Sequence, residues 1–239
     1  MVESMNPMIS VRTFHILDRT KTETNERKSV MKFVSLPVIE VPDRYGIVPN
    51  DMLDPIEAKI IITACMNREK AKVLEVGTFR GKTTANMARV LLPAGGSLVS
   101  VDVLHRPTTL PHEQDGEIPG AEYEAGEDIP ESYKDFVKLE LIDPDDETAL
   151  DKICIQNGPF DVIFIDADHS YKGVARDRNT VKKHVAHGGV ILLHDVWWDQ
   201  FPPPVEGPLK LMKELNGTVL NLSHTGALWH DNDEKRYAI

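Results

Sequence analysis

The stretch Lys72–Thr84, KVLEVGTFRGKTT, decides the fold. Val73, Leu74 and Val76 form an apolar run broken only by Glu75, which suits a parallel strand covered on both faces. Gly77 and Gly81 bracket a turn in which the missing Cβ permits positive φ and close approach of a ligand to the backbone. The helix that follows presents unpaired N–H groups at its start. Strand, glycine turn and helix together predict a nucleotide-type cradle, and the spacing excludes two versions of it. A dinucleotide loop needs G-x-G-x-x-G and a P-loop needs G-x-x-x-x-G-K-[ST]. Gly77 and Gly81 stand one residue too close for the second. The E-x-G-x-x-x-G pattern instead aims the Glu75 carboxylate at the cradle, where it repels a phosphate and suits a cation.

Outward from this stretch the chain alternates strands and helices. Upstream, Asp54-Pro55-Ile56-Glu57 predicts a helix start, with Asp54 as cap, Pro55 at the first position and Glu57 at the capping-box position. Downstream, Thr84, Met87, Ala88 and Leu91 recur at helical spacing, and Pro93 stops that helix. Ser97 to Val101 reads as the next strand. It ends at Asp102, where a doubly wound fold places either an acid for ribose hydroxyls or one that caps a loop. Phe136 to Ile142 reads as a third strand and Asp161 to Ile165 as a fourth, delivering Asp166-Ala167-Asp168-His169. A helix from Tyr171 through Val185 stops at Gly188-Gly189, and Val190 to Leu193 delivers His194-Asp195. A last helix over Leu209 to Leu215 precedes a hairpin of Thr218 to Ser223 and Ala227 to His230. The pattern predicts an α/β fold: a Rossmann-like, doubly wound, seven-stranded, mostly parallel sheet with one antiparallel strand.

With 239 residues there is room for one such domain of roughly 200 residues and an extension. Residues 1–50 read as an N-terminal arm or cap, compatible with a homodimer, and 51–239 as the main domain. Within it, 103–132 is an acidic insertion carrying Pro107, Pro111, Pro119 and Pro130, read as a lid near the substrate or a solvated acidic loop. A net charge of −11 argues against nucleic acid as a partner, because affinity for a phosphate backbone is built from clustered Lys and Arg. No apolar run approaches the roughly 18 to 20 residues of a membrane span, so no membrane partner is expected. The first residues lack a basic-then-apolar pattern, which leads to the expectation of a cytoplasmic protein. Cys65 and Cys154 sit in apolar helical patterns, as small hydrophobes in a reducing compartment.

The E-x-G-x-x-x-G loop resembles the first motif of class I S-adenosylmethionine-dependent methyltransferases. The segments FDVIFIDADHSYKGVARD (160–177) and GGVILLHDVWW (188–198) resemble small-molecule O-methyltransferases, in particular the macrocin-type sugar O-methyltransferases, with catechol and caffeoyl-CoA O-methyltransferases more distant. The resemblance runs from about Leu53 to the C-terminus. It implies S-adenosyl-L-methionine as cofactor, contacted by Glu75, Gly77, Thr78, Phe79, Gly81, Thr83, Asp102 and Asp166. It also implies a divalent metal, Mg²⁺ or Mn²⁺, held by Asp166 and the pair His194-Asp195. The chain departs from its relatives there, because they carry an acid where His194 stands. An imidazole shifts preference away from Mg²⁺, or marks a site that has lost its metal. His169 stands where macrocin-type relatives carry a histidine acting as base, and Asp168 is placed to orient it or to act in its stead; a helix-capping role for His169 stays open. The expected reaction is methyl transfer to a hydroxyl of a small molecule. Two alternatives remain: a metal-dependent glycosyltransferase using the D-x-D at 166–168, and a non-catalytic module that binds the cofactor.

Overall fold

The computed structural model describes residues 32–34, 55–104, 123–196, 206–215, 218–220 and 226–229. In chain order these form β1 (Lys32–Val34), α1 (Pro55–Met66), β2 (Lys72–Val76), α2 (Lys82–Leu91), β3 (Ser97–Val103), α3 (Glu131–Lys134) and β4 (Val137–Ile142). There follow α4 (Ala149–Asn157), β5 (Phe160–Ile165), α5 (Tyr171–Val181), β6 (Val185–Leu193), α6 (Glu206–Glu214), β7 (Thr218–Leu220) and β8 (Gly226–Trp229). Helices alternate with strands as the periodicity predicts. No described helix is long and apolar enough to cross a membrane.

The strands lie in one sheet in the order β1-β7-β8-β6-β5-β2-β3-β4. β2 to β6 pair in parallel, and only β8 runs against its neighbours. The single reversed strand is as expected, but the described residues contain eight strands rather than seven. The additional strand is β1, which pairs in parallel with β7 and so ties part of the expected arm into the sheet. The rest of residues 1–50 lies outside the described residues, as do 105–122 of the insertion and Trp197 and Trp198. A second correction concerns α5, which ends at Val181 and passes through a 3₁₀ turn, Lys182–His184, into β6 at Val185. Gly188, at φ 68°, lies inside β6 where its register against β5 shifts, so the glycine pair bends a strand rather than ending a helix.

Strand alternation sorts the core into two layers. Val73, Leu98, Val162, Phe164 and Leu192 face α1 and α2; Leu74, Val99, Ile163, Ile165 and Leu193 face the other side. By the same alternation Glu75 and its register partner Ser100 face the α1 and α2 layer. β2 is bordered by β3 on one side and β5 on the other, so chain direction across the sheet switches there. Open α/β sheets bind ligands at such a switch, outside the strands' carboxyl ends.

Candidate active site

The glycine loop leaves β2 at this switch. Gly77, Phe79 and Gly81 have φ of 102°, 49° and 90°, a left-handed course that glycine allows at two of the three positions. A Cβ on Gly77 would lie 2.0 Å from the Asp166 carbonyl oxygen, so only glycine lets the β2 exit pack against the β5 exit. A Cβ on Gly81 would lie within 2.4 Å of Ile129 Cγ1. That contact reflects a strap over the loop made by the described end of the insertion. Gly126 N–H donates to the Phe79 carbonyl at 2.8 Å and Asp128 N–H to that of Arg80 at 2.7 Å. Arg80 Nε meets Glu127 at 2.5 Å, and the Tyr123 ring stands edge-on to Phe79 at 4.4 Å.

Asp102, at the end of β3, accepts the Phe79 N–H at 2.6 Å, so it shapes the loop. Thr78 is buried, and its hydroxyl lies 2.6 Å from that of Ser100. Thr83, in the first turn of α2, is half-buried, and that turn contains no acid. Glu75 is placed differently from the expectation of a carboxylate aimed at the cradle. It is fully buried beneath the loop, and its Oε2 accepts from Thr84 and Ser100 hydroxyls at 2.5 Å each, while Oε1 has no hydrogen-bond partner among the described residues. Glu75 therefore joins β2, β3 and the start of α2, and through Ser100 it holds Thr78.

Burial pushes the Glu75 carboxyl up to about 8, against the lowering effect of the two hydroxyls. Between its ordinary value of 4.5 and about 8, the folded chain keeps a proton that the unfolded chain releases. Stability at this group is thus full below pH 4.5 and is lost as pH rises to about 8. We expect the wild-type unfolding free energy from urea titration to fall more between pH 5 and pH 8 than that of Glu75→Gln, a difference on the order of 3 to 5 kcal/mol. Parallel pH profiles would show that Glu75 is ionised in the fold.

The second cluster grows from the neighbouring exits of β5 and β6. Ile165 and Leu193 are in register, so Asp166 and His194 emerge side by side, both on the α1 face by alternation. Asp166 N–H donates to the Val76 carbonyl at 2.8 Å and His194 N–H to that of Ile165 at 3.1 Å. Asp195 adopts φ 54°, a conformation of the kind that persists where the surroundings impose it. His169 Nε2 then lies 2.8 Å from Asp195 and 3.4 Å from Asp166. His194 Nδ1 lies 3.2 Å from one oxygen of each of the same carboxylates, without hydrogen-bond geometry to either, and its Nε2 lies 3.3 Å from Glu57. Asp195 and His194 form the buried floor; Asp166 and His169 are half-buried above it.

Charge sharing shifts every member. Burial would lower His169, but its hydrogen bonds to Asp166 and Asp195 raise it to about 10. His194 is likewise raised well above its ordinary value by Asp166 and Asp195, against burial. Burial opposes ionisation of Asp166 and Asp195, yet the two imidazoles hold Asp166 well below the carboxylate range and Asp195 at about 2. Asp166, His169 and Asp195 each offer a donor atom within 4.8 Å of the others, a mixed oxygen and nitrogen set able to hold a metal ion.

Asp168 is placed away from the role expected of it. Its carboxylate accepts the Ser170 N–H at 2.8 Å and packs where a Cβ on Gly173 would stand, so it shapes the start of α5. Asp195 is the carboxylate that closely approaches the His169 ring. Ser170 is the side-chain cap of α5, accepting from Gly173 N–H at 3.0 Å, so His169 does not take that part. Behind His169, a Cβ on Gly207 would lie 2.1 Å from its carbonyl oxygen, so α6 backs the same segment. Sequence reasoning missed Ser100, although a serine in the apolar run SLVSV was a signal, and it missed Glu57 as a partner of His194.

A family model described as a methyltransferase domain matches residues 74–196, just over half of the 239-residue chain. Among solved structures, the O-methyltransferase from Bacillus cereus in complex with SAH is 20% identical, over 76% of this chain and 82% of that one, with a TM-score of 0.50. The SAH-bound Podospora anserina methyltransferase PaMTH1 is 16% identical, over 75% and 80%, also with a TM-score of 0.50. These two show the shared fold. MycE methyltransferase from the mycinamycin biosynthetic pathway, in complex with Mg and SAH, is 18% identical over 72% of this chain, with a TM-score of 0.47. The chain spans only 43% of that protein's length. No curated protein matches.

Proposed function

We propose, from the premise that the chain belongs to the methyltransferase-domain family matched over residues 74–196, that it transfers a methyl group from S-adenosyl-L-methionine to a hydroxyl of a small molecule beside a divalent cation. The observation that carries this reading is the contact between the two halves of the site. The β2 exit packs against Asp166 through Gly77, so the glycine loop and the acid and imidazole cluster share one crevice.

The residues fit both groups. For the cofactor, the loop's left-handed backbone, the acid-free first turn of α2 and the half-buried Asp102 at the end of β3 suit an amino-acid carboxylate and a ribose. For the cation, Asp166 and Asp195 converge, and Asp195 Oδ1 and His194 Nδ1 are buried donor atoms with no hydrogen-bond partner among the described residues.

When bound, S-adenosyl-L-methionine supplies a methyl group already activated on a sulfonium, and a divalent cation at Asp166 and Asp195 makes a nearby hydroxyl more acidic. The chain's own work is alignment and proton removal. Gly77 to Gly81, with Thr78, Phe79 and Thr83 around them, hold the amino-acid end, and Asp102 binds the ribose. Asp166 and Asp195 orient the substrate oxygen, and His169 Nε2 takes its proton. The two carboxylates keep His169 protonated when nothing else shares their charge. A cation held by Asp166 and Asp195 would share the charge that raises His169, and the ring would then be better suited to act as a base.

The test is methyl transfer from labelled S-adenosyl-L-methionine to a panel of sugar and phenolic hydroxyls, with Mg²⁺, Mn²⁺ or EDTA present. Product formed with either metal and lost with EDTA is the expected result. Transfer unaffected by EDTA would remove the cation from the reading. No transfer to any acceptor, despite cofactor binding, would favour a binding module. Replacing Asp102 with alanine is expected to weaken SAH binding about tenfold or more, because it removes both a ribose acceptor and the anchor of Phe79 N–H. Unchanged affinity would place the ribose elsewhere.

A further inference from the structure

Glu57 is a buried partner of His194 that the proposed reaction leaves unused. Glu57 sits in the first turn of α1 and is 2% exposed; His194, at the end of β6, is 6% exposed. Their approach, Glu57 Oε2 to His194 Nε2 at 3.3 Å, joins α1 to the floor of the acid cluster. The other nitrogen, Nδ1, is buried and stands 3.2 Å from Asp166 Oδ1 and 3.2 Å from Asp195 Oδ1; among the described residues neither Nδ1 nor the buried Asp195 Oδ1 has a hydrogen-bond partner. Donor atoms about 2.1 Å from a common cation at right angles stand about 3 Å apart. The imidazole nitrogen stands at nearly that spacing from both carboxylate oxygens and lacks hydrogen-bond angles to either, which fits ligands of one ion.

We propose that Glu57 is the positioning residue of His194 at the cation site: Glu57 accepts the Nε2 proton and so fixes the tautomer whose Nδ1 lone pair points between Asp166 and Asp195. Metal-bound histidines regularly donate their second N–H to a carboxylate or carbonyl in this way, which orients the ring and makes it a better ligand. The inference rests on the cation reading above and deepens it in two respects. It frees His169, whose Nε2 faces the same carboxylates, to serve as the base. It also sets the metal preference, because an imidazole in the set favours Mn²⁺ over Mg²⁺ relative to an all-oxygen site.

The experiment uses the full chain with Mn²⁺ alone as probe, read by calorimetry and by the ¹⁴N modulation of a pulsed EPR signal, which reports a directly bound imidazole. His169→Ala is expected to keep both Mn²⁺ affinity and ¹⁴N modulation, and His194→Ala to lose the modulation and most of the preference for Mn²⁺ over Mg²⁺. Glu57→Leu should weaken Mn²⁺ binding by roughly 10- to 100-fold, while Glu57→Gln, whose amide oxygen still accepts the Nε2 proton, stays close to wild type. A purely structural tie between α1 and β6 would alter stability in these variants without moving the ¹⁴N signal or the metal preference. Modulation that survives in His194→Ala and vanishes in His169→Ala would overturn the assignment with the cation site intact. Wild-type protein that binds no Mn²⁺ would overturn the cation reading and this inference with it. Should Glu57→Leu not fold, Glu57→Ala read by the same two measurements decides the question, with wild-type affinity and modulation overturning the role of Glu57.

Discussion

Replacing His169 with alanine is expected to lower kcat by about 10²- to 10⁴-fold while SAH affinity stays within a few-fold of wild type. The size follows from the role: a positioned base contributes in the transition state, and the ring's own ion-pair partners among the described residues are Asp195 and Asp166 rather than side chains of the glycine loop. His169 lies against Asp195 and Asp166 at the β5 and β6 exits, whereas the loop is fixed by Asp102, Ser100 and Glu75 from β2 and β3. The variant should also fold, because Ser170 caps α5 and Asp168 holds the Ser170 N–H without the imidazole. Steady-state kinetics and SAH calorimetry on the same preparation check both halves. A fall in kcat accompanied by an equal loss of SAH affinity would place His169 in the cofactor site.

Gly77→Ala is expected to abolish measurable cofactor binding and to destabilise the fold by about 3 kcal/mol or more. Two effects combine. The backbone sits at φ 102°, which an L side chain rarely adopts, and the added methyl would stand 2.0 Å from the Asp166 carbonyl oxygen and 2.5 Å from its carbon. Neither obstacle is a flexible side chain, so relief requires β2 and β5 to part at the switch, where Asp166 N–H bonds the Val76 carbonyl. Chemical denaturation and SAH calorimetry would measure the two losses. A variant that keeps wild-type stability would mean the loop adopts another course.

Much of this site was legible because it is encoded locally. The run at 73–76, the glycine spacing and the periodicity of Thr84 to Leu91 need no distant information, and strand ends place Asp102, Asp166 and Asp195 at the carboxyl edge of the sheet whatever the details. What failed to show depends on contacts far apart in sequence. Glu57 satisfies a helix-start pattern, and nothing local says that α1 lies over β6 so that this acid meets His194 across 137 positions. Lys32–Val34 is three residues long and gains its identity as a strand from β7, near the other end of the chain. Glu75 is an instructive middle case. Alternation within β2 puts it on the face of Val73, toward α1 and α2, so its burial could have been read from strand parity. The expectation that it faces the ligand followed the motif instead. Asp168 misled for a similar reason: an acid two residues before a serine at a helix start is as suited to shaping the turn as to catalysis.

The central claim is that the crevice between β2 and β5 seats a sulfonium cofactor beside an acid and imidazole cluster. Calorimetric titration of the full chain with SAH tests it most directly. One SAH bound per chain, weakened in Asp102→Ala and retained in His169→Ala, is the predicted result; no heat of binding from wild-type protein, or heat from a UDP-sugar in its place, would contradict it.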